Sequence, residues 1–319
     1  MPVRFREKVT TVGRLDAKRG VYSRGMPLFG PTTGDVYHVD SGHTGASDTN
    51  DGKNPDRPMA TIDAAVAKCT ANNGDIILVA PGHAETLTAA AGIDLDVAGI
   101  SVIGLGWGDD RPTITFGTAT TTDIDIDAAN VTIANLRFIG NIAALAAPID
   151  VNAAGFTMED CDFYVATATT DIDITVITDA TANDMVIRRC HFWYDYSRAA
   201  TAVTAASTEV IRLVGADRAI IEDCYFSGNF STAVINGITT LSGDILIARN
   251  KLYNDQTANV AGWIDLVAGC TGVIENNNGF HGYTTDIATV IDPSSCAMIE
   301  NYASNVVTES GGIIGTRST

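Results

Sequence analysis

FTMEDCDF (156–163), MVIRRCHF (185–192) and AIIEDCYF (219–226) are one pattern written three times. An apolar residue opens each unit, an aliphatic or thioether side chain stands third, a cysteine sixth and a phenylalanine eighth. Working outward, the same pattern governs SVIGLGW from Ser101, VTIANLRF from Val131, ILIARNKLY from Ile245, GVIENNNGF from Gly272 and AMIENYAS from Ala297. The third position forms a column of Ile103, Ile133, Met158, Ile187, Ile221, Ile247, Ile274 and Ile299, at intervals of 30, 25, 29, 34, 26, 27 and 25 residues. A second column runs Leu136, Cys161, Cys190, Cys224, Asn250, Asn277, and a third Phe138, Phe163, Phe192, Phe226, Leu252.

Between these units lie IDLDVAGI (93–100), DIDIDAAN (123–130), PIDVNAAG (148–155) and WIDLVAGC (263–270). Their apolar–polar alternation suits strands with one buried face, and the Asn, Gly and small residues that follow turn the chain. A coil of two or three short strands cannot bury its apolar face alone; stacking coils does so and pairs each strand in parallel with its neighbours. The expected fold is all-β: a right-handed parallel β-helix, the hand following from the bias of parallel crossovers. The irregular intervals fit variable loops on a constant core. A leucine-rich repeat, the main rival, needs a shorter period and regular leucines.

The exposed end of such a solenoid needs a cap. Thr61 as N-cap, with Ile62, Ala65, Val66 and Cys69 at helical spacing, predicts a short helix near 61–72 that stops at Asn72-Asn73-Gly74. The organisation read from the sequence is an extended basic arm (1–35), the β-helix (36–305) and an extended C-terminal segment (306–319).

Charge is distributed unevenly. Residues 1–30 carry Arg4, Arg6, Lys8, Arg14, Lys18, Arg19 and Arg24 against Glu7 and Asp16, a net +5, whereas the remainder carries −23. The acidic body argues against nucleic acid as a partner, because phosphate binding needs cationic surface. The basic arm suggests docking to another acidic surface, such as a neighbouring subunit. The opening MPVRFREKVTTVGR lacks the apolar stretch of a secretion signal, and no apolar run reaches the roughly 18 residues of a membrane span. Cytoplasmic synthesis is therefore expected, with Cys69, Cys161, Cys190, Cys224, Cys270 and Cys296 reduced.

The stretch VYHVDSGHTGASDTNDGKNPDRPMATIDAAVAKCTANNGDIILVAPGHAETL (36–87) resembles the capped first coil of pectin-lyase-like β-helix proteins. The matching residues are Asn50, Asp51, Gly52, Pro58, Thr61, Ile62, Val79, Ala80, Pro81 and Gly82, and the resemblance extends to about residue 305. It implies the fold. It leaves function open, since that superfamily holds lyases, hydrolases, epimerases and non-enzymatic virion proteins.

Three places offer chemistry. Asp94 and Asp96, Asp125 and Asp127, Asp150 and Asn152, and Asp265 form an acidic ladder, read as a solubilising strand edge rather than a calcium or catalytic row. The loop Asp48-Thr49-Asn50-Asp51-Gly52 is read as a turn shaped by Asx side chains, since the calcium-loop spacing is incomplete. The segment Arg188–Arg198 holds Arg188, Arg189, His191, Trp193, Tyr194, Asp195, Tyr196 and Arg198. There, Trp193, Tyr194, Tyr196 and Arg198 are read as an interface or a sugar contact ahead of a His191–Asp195 dyad. His83 and Glu85 are read as loop groups. No nucleotide loop, hydrolase elbow or HExxH motif is present.

The combined expectation is a non-enzymatic phage virion protein needing no metal or cofactor. It would be a capsid decoration or cementing protein, homotrimeric, held to the major capsid protein or another virion protein by its arm, with no nucleic-acid or membrane partner. The alternative is a tailspike or tail-fibre protein that binds or cleaves host polysaccharide, as a polysaccharide lyase or glycoside hydrolase would.

Overall fold

The computed structural model describes residues 22–23, 26–27, 33–167, 169–194, 206–254, 262–282, 290–305 and 311–314. The chain divides into two units, Met1–Thr33 and Gly34–Thr319. In the first, Tyr22–Ser23 pairs antiparallel with Met26–Pro27. The arm residues Arg4, Arg6, Lys8, Arg14, Lys18, Arg19 and Arg24 lie outside the described residues.

The second unit is a parallel β-solenoid whose coils visit three sheets in turn. The first sheet has 10 strands, from Val36–Val39 to Ala297–Ile299; the second also has 10, from Ala84–Leu87 to Gly311–Ile313. The third has 8, from Ile93–Asp94 to Ile291–Asp292. Every pairing is parallel except the last, where Gly311–Ile313 runs antiparallel to Tyr302–Asn305. Beyond it Ile314 is buried.

Register places like on like. The interior column of the first sheet is Val102, Ile133, Met158, Ile187, Ile221, Ile247, Ile274 and Met298. This corrects the two ends of the predicted column. Ile103 pairs with Ala134 and Ile299 with Glu275, each on the outer face, and Ile299 is 46% exposed. Adjacent apolar residues in Val102-Ile103 and Met298-Ile299 hide which of the two points inward. In the second sheet Phe138, Phe163, Phe192 and Phe226 stack with centroids 4.7, 5.0 and 4.9 Å apart. That separation is close to the interstrand spacing, so each ring rides on the one below.

The column that begins Leu136, Cys161, Cys190, Cys224 changes chemistry at Asn250. Asn250, Asn277 and Asn301 are fully buried and form a ladder. Asn277 Nδ2 donates to Ile247 O (2.9 Å) and Asn301 Oδ1 (3.0 Å), while Asn277 Oδ1 accepts from Asn250 N and Nδ2 (both 3.0 Å). Asn301, absent from the predicted column, extends it by one rung. The six cysteines are free thiols, and burial pushes those of Cys161 and Cys190 far above the ordinary range.

Between the first and second sheets the chain turns on one left-handed residue per coil: Asn135, Asp160, Arg189, Asp223, Arg249, Asn276 and Glu300, with φ from 49° to 56°. Asn and Asp adopt this conformation readily, whereas Arg does so at a cost. The cost is offset by pairing along the corner. Arg189 forks onto Asp160 (Nε–Oδ1 and Nη2–Oδ2, both 2.9 Å), and Arg249 onto Asp223 (3.0 and 3.2 Å). Glu159 and Glu222 reinforce the same arginines.

The helix runs Ile62–Val66, shorter than the predicted 61–72, with Thr61 Oγ1 accepting from Ala64 N. Side chains from elsewhere satisfy the backbone beyond it. Tyr37 Oη donates to Lys68 O (2.7 Å), and Asp75 Oδ2 accepts from Thr70 N (2.7 Å), so side chains from outside the helix take up groups of its exit. Ile62, Ala65 and Val66 face the core, and Asp63 Oδ1 accepts the N–H of Asp94 at the head of the third sheet.

Asn277→Ala removes both donors and the doubly used acceptor at once, leaving buried partners unmet. It should lower stability by more than about 3 kcal/mol, read as a shift of the urea midpoint; a loss under about 1 kcal/mol would show that the ladder is not a structural spine.

Candidate functional site

Interior columns are consumed by packing, so chemistry must come from outward-facing positions. On the third sheet the outward column reads Asp94, Asp125, Asp150, Ile177, Arg212, Asn236, Asp265, Asp292. Acid stacks on acid at both ends, and the middle is neutral or basic. Partial burial and the neighbours Asp123, Asp150, Asp127 and Asp94 push the Asp125 carboxyl up to about 6. Burial first, then neighbouring carboxylates, also raises Asp94, Asp150 and Asp265. Asp63, Asp94 and Asp96 line a hollow of about 330 Å³ in which the buried Asp94 Oδ1 has no hydrogen-bond partner. Among the described residues, no three His, Cys, Asp or Glu side chains converge as metal ligands would. The single cation of the column, Arg212, is held by buried Glu209, with Nε–Oε2 at 3.1 Å.

The second sheet presents two outward columns. One reads Thr113, Arg137, Asp162, His191, Tyr225, Lys251, Asn278, Tyr302; the other Thr115, Ile139, Tyr164, Trp193, Ser227, Tyr253, Phe280, Ser304. Rings gather where the columns meet: Trp193 and Tyr225 lie 4.5 Å apart, Tyr225 and Tyr253 5.4 Å, and His191 stands edge-on to Trp193 at 5.5 Å. Arg137 lies over Tyr164 at 5.7 Å and donates to Gly108 O at 2.7 Å. Arg137, Ile139, Tyr164, Val165 and Ala166 line an open groove of about 400 Å³. Asp162 is the single acid of these columns. It is held between Arg111 Nη1 (2.5 Å) and His191 Nδ1 (3.4 Å). Arg111 is stacked 5.6 Å from the ring of Trp107, which is 73% exposed.

The dense segment therefore divides by strand alternation. Phe192 points in, Trp193 out and Tyr194 in. Tyr194, read from the sequence as an interface or sugar contact, is instead a core residue: it is 1% exposed, its hydroxyl is bonded to Thr175, and burial raises its pKa. Trp193 is half-exposed on the ring-bearing face. Tyr196, Arg198 and Asp195 lie outside the described residues, and the carboxylate beside His191 is Asp162 from the preceding coil. Arg188 and Arg189 belong to the corner pairing with Glu159 and Asp160.

His83 lies in a loop, as the sequence reading has it, but beneath the surface. It is buried, Nδ1 accepts from Ser41 N (3.0 Å), and Nε2 faces Glu85 Oε2 at 3.3 Å. Glu85 Oε2 also accepts the helix N–H of Ile62 (3.1 Å), so the pair ties the first coil to the helix. In the 48–52 loop, Asp48 Oδ1 accepts from Ala60 N and Thr61 N, and Asn50 Nδ2 donates to Gly45 O and Pro58 O. These side chains hold the turn.

No protein-family model and no curated protein matches the chain. Among solved structures it is similar to a rhamnogalacturonan lyase, at TM-score 0.48 and 14% identity, over 84% of this chain and 87% of that one. It is similar also to an alginate lyase from Paenibacillus sp. str. FPU-7, at TM-score 0.31 and 14% identity, over 75% of this chain and 94% of that one. Neither likeness bears on activity.

The folded chain holds Asp125 protonated at pH values where the unfolded chain does not, so ionising it costs stability as pH rises from about 4 to about 6. Asp125→Asn should melt above wild type in dilute solution at pH 7.5, with the gap closing by pH 4; an equal gap at both values would contradict the raised carboxyl.

Proposed function

We propose that this chain is a non-enzymatic structural protein of a phage virion, a right-handed β-helix that decorates or cements the capsid. In this reading the basic arm binds the major capsid protein or another virion protein, and the solenoids associate as a homotrimer. The observation that carries the reading is the charge division, +5 in residues 1–30 against −23 in the rest. A boundary between units falls at Thr33 and Gly34, just beyond the basic stretch. An acidic rod is repelled by acidic surfaces, and a short cationic lead can anchor it to one. The outward columns of the solenoid lend themselves to contact with other surfaces.

A second reading is favoured by one observation, the half-exposed ring cluster of Trp193, Tyr225 and Tyr253 beside Arg137, His191 and Lys251. Rigid amphipathic rings bordered by hydrogen-bonding groups suit the faces of sugars, so the protein would hold host surface polysaccharide as a tailspike does.

Deleting residues 1–30 should abolish attachment to purified particles, scored by co-sedimentation; undiminished attachment would overturn the first reading. Trp193→Ala should lower retention on host polysaccharide at least about tenfold if the second holds, one lost stacking contact being worth about 1.4 kcal/mol, and unchanged retention would remove it.

A further inference from the structure

At two levels the outward columns of the second and third sheets carry opposite charge. Following the chain from one sheet to the next, Arg137–Gly140 is succeeded in the same coil by Ile149–Val151, so Arg137 and Asp150 stand at one level. Lys251–Asn254 is succeeded by Ile264–Leu266, which sets Lys251 level with Asp265. Where the outward columns of the second sheet have Asp162, the third sheet has uncharged Ile177, and the third sheet's cation Arg212 stands one coil further on. The two faces belong to the same rigid unit and look outward from different sides.

Rotation about an axis parallel to the solenoid keeps every coil at its own level. In a closed ring built that way, the second-sheet face of one copy meets the third-sheet face of the next at equal heights, Arg137 opposite Asp150 and Lys251 opposite Asp265. A two-fold pairing of second-sheet faces would instead bring cations toward cations. The third-sheet acids repel one another within a single chain, so opposite charge from outside would relieve them. The rings of Tyr164, Trp193, Tyr225 and Tyr253 supply amphipathic anchors of the kind that hold interface centres.

We propose that the second-sheet face, centred on Arg137, Trp193 and Lys251, docks on the acidic third-sheet face of a second copy of this chain, head to tail around a ring. This rests on the homo-oligomeric part of the reading above and is independent of the arm and of the particle. Chain mass in solution, by size exclusion with light scattering, tests it.

The full wild-type chain should run as a trimer at about 0.1 M salt and fall toward monomer at about 1 M, since exposed charge pairs are screened. Arg137→Glu with Lys251→Glu should give folded monomer, as should Asp150→Lys with Asp265→Lys, each checked by circular dichroism. Combining all four substitutions should restore the trimer, because the charges are exchanged across the contact. A monomeric wild type would overturn both the oligomeric reading and the docking. A wild-type trimer whose mass neither pair of substitutions changes, or whose four-fold variant stays monomeric, would overturn the docking alone. Particle attachment through the arm is scored separately and decides neither outcome.

Discussion

Parallel in-register pairing between coils is the constraint on which everything else in the solenoid depends. It sets each residue directly above the residue at the same position one coil earlier, at about 4.8 Å. Such stacking rewards groups that gain from meeting their own kind. Aliphatic side chains fill the interior, phenylalanines stack face to face, and asparagine amides pass one hydrogen bond to the next. For charged groups the same geometry is a penalty. The corner between the first and second sheets avoids it by alternating sign, acid at Asp160, base at Arg189, acid at Asp223, base at Arg249. The outward column of the third sheet does not alternate, and burial first, then the neighbouring acids, raises the pKa values of its carboxylates.

How far the sequence discloses this architecture follows from the same constraint. Interior positions recur because each must match its neighbour above and below, so the Ile, Cys and Phe columns stand out despite loops of different length. Legibility fails where two apolar residues adjoin, as at Val102-Ile103 and Met298-Ile299, since composition cannot say which faces inward. It fails again at Trp193-Tyr194, although counting alternately from the interior Phe192 would have placed Tyr194 inside. The shortened helix depended on Tyr37 and Asp75, which lie outside the helical pattern and reach its end through the fold.

The candidate surfaces were less legible than the core. The acidic ladder could be read from the Ile-Asp repeats, but the Arg111–Asp162–His191 contact joins three coils through loops of unequal length, so no spacing announces it. The same holds for the ring cluster, in which Trp193 meets Tyr225 of the next coil and Tyr225 meets Tyr253 of the coil after it. His83 looked like a loop residue because Pro81-Gly82 precedes it, yet it is buried between Ser41 and Glu85. Outward residues are free of the like-on-like demand, and their partners are set by the path of the whole chain.

The solenoid therefore has an interior that explains its stability and outward faces open to association. The most direct test of the central claim, that stacking makes one face acidic and fits it to another face of the same chain, is a cryo-electron microscopy map of the assembled protein. The account predicts the second sheet of each copy against the third sheet of its neighbour, with Arg137 level with Asp150 and Lys251 level with Asp265. A map in which second-sheet faces meet across a two-fold axis, or in which both faces stand in solvent, would contradict it.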